Sequence, residues 1–94
     1  MYEWDEAKRK ANLNKHGFDF VDAHFVYESS DKLTLASERK NESRSMDLAL
    51  VEIAGVLLAL VYVIRADVVR VISFRPASSQ ERRQYAAIKS KEHD

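Results

Sequence analysis

The side chains able to do chemistry in this chain are mostly cations, and they gather late in the sequence. In Val68 to Tyr85, VVRVISFRPASSQERRQY, an apolar run closes on Arg75, Pro76 interrupts it, and Ser78 opens a basic helical stretch. An arginine at a strand end can hold a phosphate bidentately, and the oriented N–H groups of a following helix add to that field. Cleaving RNA without a metal needs a group to take the 2′-hydroxyl proton, cations to stabilise the crowded phosphorane, and an acid for the leaving oxygen. Arg75 suits the stabilising role. Tyr85 and His16 are the proton-transfer candidates, Arg65 is a second strand-end cation, and Lys15, Arg70, Arg82 and Arg83 are candidate contacts for an RNA backbone.

Each of these residues also has a plainer use. His16 precedes Gly17 and can simply complement a helix C-terminus. Tyr85 can be a core aromatic, Arg82 and Arg83 a solvated face, and Arg65 the anchor of a turn with Asp67. Other chemistries are poorly supplied. His16, His24 and His93 are scattered without metal-ligand spacing, so no metal is expected. With two glycines and no cysteine, phosphate-cradling glycine loops and thiolate chemistry drop out, and no cofactor is expected.

Charge separates along the chain although the formal total is zero. Arg65 to Lys91 holds seven basic residues against two acidic, while Phe18 to Ile64 holds four against eight. A basic C-terminal third suggests a polyanionic partner touching only part of the surface. The start, MYEWDEAKRK, lacks the apolar centre of a signal peptide. Ile53 to Ile64 is continuously apolar but falls short of the roughly 20 residues a spanning helix needs. It reads as a buried strand, and a cytoplasmic protein without membrane contact is expected.

The elements that must position these cations follow from pattern. A single domain is expected over residues 1–94, with a modest core, since a chain this short buries only about 60–65% of its unfolded surface. Tyr2 to Trp4 suits a short edge strand. Asp5 can cap a helix over Glu6–His16 that Gly17 stops, and Asp19 a second helix over Phe20–Val26, with Phe18 stapled against Ala23. Lys32 to Glu38 alternates like a half-buried strand, and Arg39 to Arg44 reads as a charged loop. Strands over Met46–Ile53, Val56–Ile64 and Val68–Phe74 are separated by turns short enough for antiparallel hairpins. Val56–Ile64 should be central, covered on one side by helices. Pro76 should end the ladder, and Ser78 with Glu81 forms a capping box for a last helix to about Lys91, with Tyr85 and Ile88 facing inward. The class is α+β: two N-terminal helices, a four-stranded, mainly antiparallel sheet, a C-terminal helix. Arg65 and Arg75 then lie at opposite ends of one hairpin, about 20–25 Å apart.

Two blocks carry a family resemblance. The first is Trp4, Asp5, Lys8, Asn12, Leu13, Lys15, His16, Gly17, Phe20, Asp22 and Ala23; the second is Val71, Ile72, Ser73, Arg75, Ala77, Ser78, Glu81, Arg82, Arg83 and Tyr85. Ser37, Glu38, Arg39, Glu42, Arg44, Glu52, Ile53 and Gly55 fall between them at suitable spacing. Together they resemble the BrnT toxins over essentially the whole chain. The resemblance implies a RelE-like fold and the ribonuclease half of a type II toxin–antitoxin pair, arresting translation. It also implies a ribbon-helix-helix antitoxin (BrnA-like) as partner, a heterotetramer, and operator DNA bound only through that complex. The chain departs from the family pattern at Phe74, usually a small residue, at Pro76, usually basic, and at Val51 and Ala54. A weakly active or inactive relative, serving as a protein-binding module or co-repressor, is the alternative reading. A toxin that blocks a protein target is a third.

Overall fold

The computed structural model describes residues 1–36 and 47–92. The expected Arg39–Arg44 loop, Ser37 to Arg39, Glu42, Met46 and His93 lie outside the described residues. In chain order the elements are β1 (Tyr2–Glu3), α1 (Glu6–His16), a 3-10 turn (Phe20–Asp22), α2 (Ala23–Tyr27), β2 (Leu33–Ala36), β3 (Asp47–Ile53), β4 (Val56–Arg65), β5 (Val68–Pro76) and α3 (Ser79–Glu92).

The caps of α1 are those its sequence signals. The Asp5 carboxylate accepts from the N–H groups of Ala7 (2.9 Å) and Lys8 (3.2 Å). Gly17, at φ 79°, closes the helix with its N–H on the Leu13 carbonyl at 2.8 Å. The second helix departs from expectation. Asp19 does cap it, accepting from the Val21 N–H at 3.1 Å, but a 3-10 turn precedes a single short α-helical stretch. That path puts Phe20, Ala23 and Val26, three residues apart, fully into the core. Arg9 ties the two helices by pairing with both Glu6 and Asp19.

The sheet has five strands in the order β1-β5-β4-β3-β2. The Tyr2 to Trp4 edge strand is present as Tyr2–Glu3, and it makes the sheet mixed because β1 runs parallel to β5. The remaining pairs are antiparallel. Ala54 and Gly55, and likewise Ala66 and Asp67, take positive φ angles, as the two-residue turns that match strand twist require. Val61 pairs with Ser73 while Tyr62 pairs with Val71, so Ile72 is an extra residue, a bulge on β5.

Two expectations need correction. Helices cover both sheet faces, which is why β4 is apolar on both. The 3-10 turn and α2 bury Ala49, Val51, Leu58, Leu60, Tyr62, Val69, Val71 and Phe74 on one face. On the other, Tyr85 of α3 packs against Leu50, Ala59 and Ala77. Second, Pro76 does not break the ladder. It pairs with Leu58, and the next residue, Ala77, donates its N–H to the Leu57 carbonyl at 2.9 Å. Bonding to β4 alternates along the strand, so the proline nitrogen faces the outer edge, beyond the reach of the two-residue β1. The capping box forms as expected: the Glu81 N–H donates to Ser78 Oγ at 3.2 Å and the Ser78 N–H to Glu81 Oε1 at 2.8 Å.

Candidate functional site

The outer edge of β5 is where the candidate residues concentrate. Beyond β1 that edge has no strand partner among the described residues, and α1 supplies one through a single side chain. Asn12, buried at 9% exposure, accepts the Phe74 N–H (3.2 Å) and donates to the Phe74 carbonyl (2.7 Å) and the Phe18 carbonyl (3.0 Å). Its carboxamide stands in for a neighbouring strand, satisfying backbone groups that burial would otherwise leave unpaired. Position 74 therefore anchors α1, and the residues on either side of it, Ser73 and Arg75, turn toward the opposite face.

Arg75 makes a bidentate ion pair that its neighbourhood in sequence did not announce. Nη1 lies 2.7 Å from Glu81 Oε1 and Nη2 3.0 Å from Oε2, and Nη1 also donates to the Pro76 carbonyl at 3.3 Å. The hydrogen-bonded guanidinium holds the Glu81 carboxyl below its usual range, and the Ser78 backbone N–H adds to the effect. Glu81 in turn raises the Arg75 pKa. Nε–H and the second Nη2–H, on the remaining guanidinium edge, make no hydrogen bond among the described residues. That edge is the geometry for one further oxyanion.

Tyr85 shares this face. Its ring packs on the cluster containing Ala59, which is the cross-strand partner of Arg75. Its hydroxyl has no hydrogen-bond partner among the described residues, and Lys89 stands over the ring at 5.6 Å. Arg82 is engaged locally, donating to the Ala77 carbonyl and to Ser79 Oγ, each at 3.1 Å. Arg83 is exposed and makes no ion pair among the described residues.

His16 and Lys15 lie elsewhere, in a cleft of about 260 Å³ between α1 and the β5 bulge, lined also by Lys8, Ala11, Asn12, Ile72 and Ser73. Lys8, Lys15 and His16 form no ion pair among the described residues, and no acidic side chain lines the cleft. Ser73 joins the two regions, since it lines this cleft and sits two residues from Arg75 on the same strand.

The other two cations are placed apart. Arg65 ends β4 opposite Val68, six positions along that strand from the Ala59 that faces Arg75. At strand rise that is about 20 Å, so the two arginines cannot share a phosphate. Arg70 is 3.0 Å from Glu3, its partner in β1, and pins that strand down. Sequence reasoning missed three participants. Lys8 was legible in principle, lying on the Asn12, Lys15 and His16 face at helical spacing. Asn12 was not, because its partner is 62 residues away. The Glu81 pairing was hidden behind a capping role that the carboxylate performs as well.

With this geometry in hand, comparison with known families gives one result. The family profile described as ribonuclease toxin, BrnT, of type II toxin-antitoxin system matches residues 4–81. The chain belongs to the BrnT family of ribonuclease toxins, and a type II toxin implies an antitoxin partner. No curated protein matches the chain. Among the described residues no helix is long and apolar enough to cross a membrane.

Proposed function

We propose that this chain is a metal-independent endoribonuclease, a single RelE-like toxin domain over residues 1–94 acting in the cytoplasm. The observation that carries the reading is the guanidinium edge of Arg75 that makes no hydrogen bond among the described residues. Glu81 holds that guanidinium in place, and Ser73, two residues away along β5, lines a cleft whose cations form no ion pair among the described residues. The strand's phosphate accepts from that edge. The 2′-oxygen attacks phosphorus as its proton passes to a base, and the 5′-oxygen leaves with a proton from an acid, giving a 2′,3′-cyclic phosphate. Arg75 offsets the charge that grows on the non-bridging oxygens. Tyr85 and His16 are the candidates whose proton-transfer atoms make no hydrogen bond among the described residues. Lys8, Lys15 and Arg83 hold flanking phosphates, while Arg65 and Arg70 sit outside the reacting centre. The cognate antitoxin is a ribbon-helix-helix protein, the complex is a heterotetramer, and operator DNA is bound through the antitoxin.

The test is cleavage of RNA by the purified chain in the presence of a chelator, compared with Arg75→Ala. A second reading, a protein-binding module that has lost catalysis, is favoured by one observation: Arg75 already has a bidentate carboxylate partner. Antitoxin binding by a chain that cleaves no RNA, with or without ribosomes, and does not arrest growth would establish that reading.

A further inference from the structure

A second surface stands apart from the cations. Phe25 is 62% exposed, and Ile53 and Val56, facing each other across the β3–β4 turn, are 42% and 45% exposed. A groove of about 440 Å³ opens beside them, lined by Phe18, Asp22, Phe25, Val26, Ile53, Leu58 and Phe74. Asp22 is its one charged lining residue and has no ion partner among the described residues. Of the carboxylates in the segment that forms one wall, Asp19 is paired with Arg9 and Glu28 accepts from the Tyr2 hydroxyl, so the charge left at the rim is that of Asp22. Contiguous exposed apolar surface with a polar rim is the signature of a docking site. The groove lies on the face covered by the 3-10 turn and α2, and the Phe74 in its floor alternates with Arg75, which points to the face that α3 covers.

We infer that this groove is the anchor for the antitoxin, receiving an apolar side chain from a segment flanked by lysine or arginine. The inference rests on the chain being the toxin of such a pair and adds where, and by what chemistry, the partner is held. Charge decides the occupant. Two copies of this chain meeting through the same patch would bring Asp22 against Asp22 with no cation in the lining to offset them, which opposes self-association. A basic amphipathic segment meets the rim with the opposite sign and covers the phenylalanine. Because the anchor lies on the face away from Arg75, antitoxin affinity and RNA cleavage are separable by mutation.

The experiment uses the protein encoded in the adjacent reading frame, purified and titrated calorimetrically into wild type, Phe25→Asp and Asp22→Lys. Phe25 and Asp22 are exposed, so circular dichroism and melting should match wild type. Phe25→Asp should weaken binding by about tenfold or more and Asp22→Lys by several-fold, with RNA cleavage unchanged. Affinities within twofold of wild type for both variants overturn the proposal. So does a wild-type homodimer that Phe25→Asp dissolves, which would assign the groove to a second copy. No binding to wild type at all removes the toxin–antitoxin pairing itself, and the anchor with it, an outcome distinct from tight binding that ignores the groove.

Discussion

At residue 75 one guanidinium is asked to do two things. It fastens the end of β5 to the first turn of α3 through Glu81, and it keeps its other edge open. Glu81→Gln should keep most of the capping box but lose the ion pair, leaving Arg75 free to rotate. RNA cleavage should fall by less than in Arg75→Ala, and Arg75→Lys should not restore it, because an ammonium lacks the planar fork. The same pair has a pH signature. The Glu81 pKa is lowered in the folded state, so its contribution is present above the ordinary carboxylate value and is lost as pH falls through the folded one. The melting temperature of wild type should therefore converge on that of Glu81→Gln under acid, and a constant gap down to low pH would contradict the pairing. Asn12 makes a sharper stability prediction. Asn12→Ala leaves the buried Phe74 N–H without an acceptor and should cost about 1–3 kcal/mol in chemical denaturation. The position of Arg75 was legible because a strand end, a proline and a cap signal meet there. The Asn12 contact was not, since nothing in a helix sequence reveals which distant strand edge lacks a partner.

At the scale of elements, α1 works through both ends and one face. Its cap residues fix where it begins and stops, so they were readable from sequence: Asp5 and Gly17 act within the reach of local hydrogen bonds. Gly17→Ala meets no atom within 4 Å, so its cost should be purely that of the left-handed backbone, about 1–2 kcal/mol. In the proposed function the basic face of α1 is the element's contribution to RNA binding. Lys8→Ala and Lys15→Ala should each weaken a short oligoribonucleotide and each reduce the slope of log affinity against log salt by about 0.7. An unchanged salt slope in both would remove the cleft from the RNA path. On the sheet side, hairpin order was legible because short turns leave little choice of partner. The bulge at Ile72 was not: it left only a slip in alternation, between the outward Arg70 and the outward Ser73 and Arg75, which is too short to tell from ordinary irregularity in one strand. Nor was the placement of α3 on the second face, although the two-sided apolarity of Val56–Ile64 was a sign that both faces needed cover.

The whole molecule separates its proposed tasks by surface. The face under the 3-10 turn and α2 carries the exposed apolar groove with Asp22 at its rim, and the opposite face and the β5 edge carry Arg75, Tyr85 and the α1 cleft. A formally neutral chain can thus present one sign to a nucleic acid and the other to a protein. The separation of charge along the sequence foreshadowed this division. The fold assigned the sides: β1 adds in parallel to β5, α1 lies over that edge, and the 3-10 turn and α2 cover one face while α3 covers the other. Membership in the BrnT family supplies the reaction class, and Arg75 is the residue on which it is most exposed to test. The direct measurement is single-turnover cleavage of a labelled RNA by the purified chain in excess chelator, with and without ribosomes, beside Arg75→Ala of matched melting temperature. Wild type should cleave under chelation, and Arg75→Ala should be slower by about 10²–10³-fold. Equal rates for the two proteins, or cleavage abolished by the chelator, would contradict a metal-free reaction centred on Arg75.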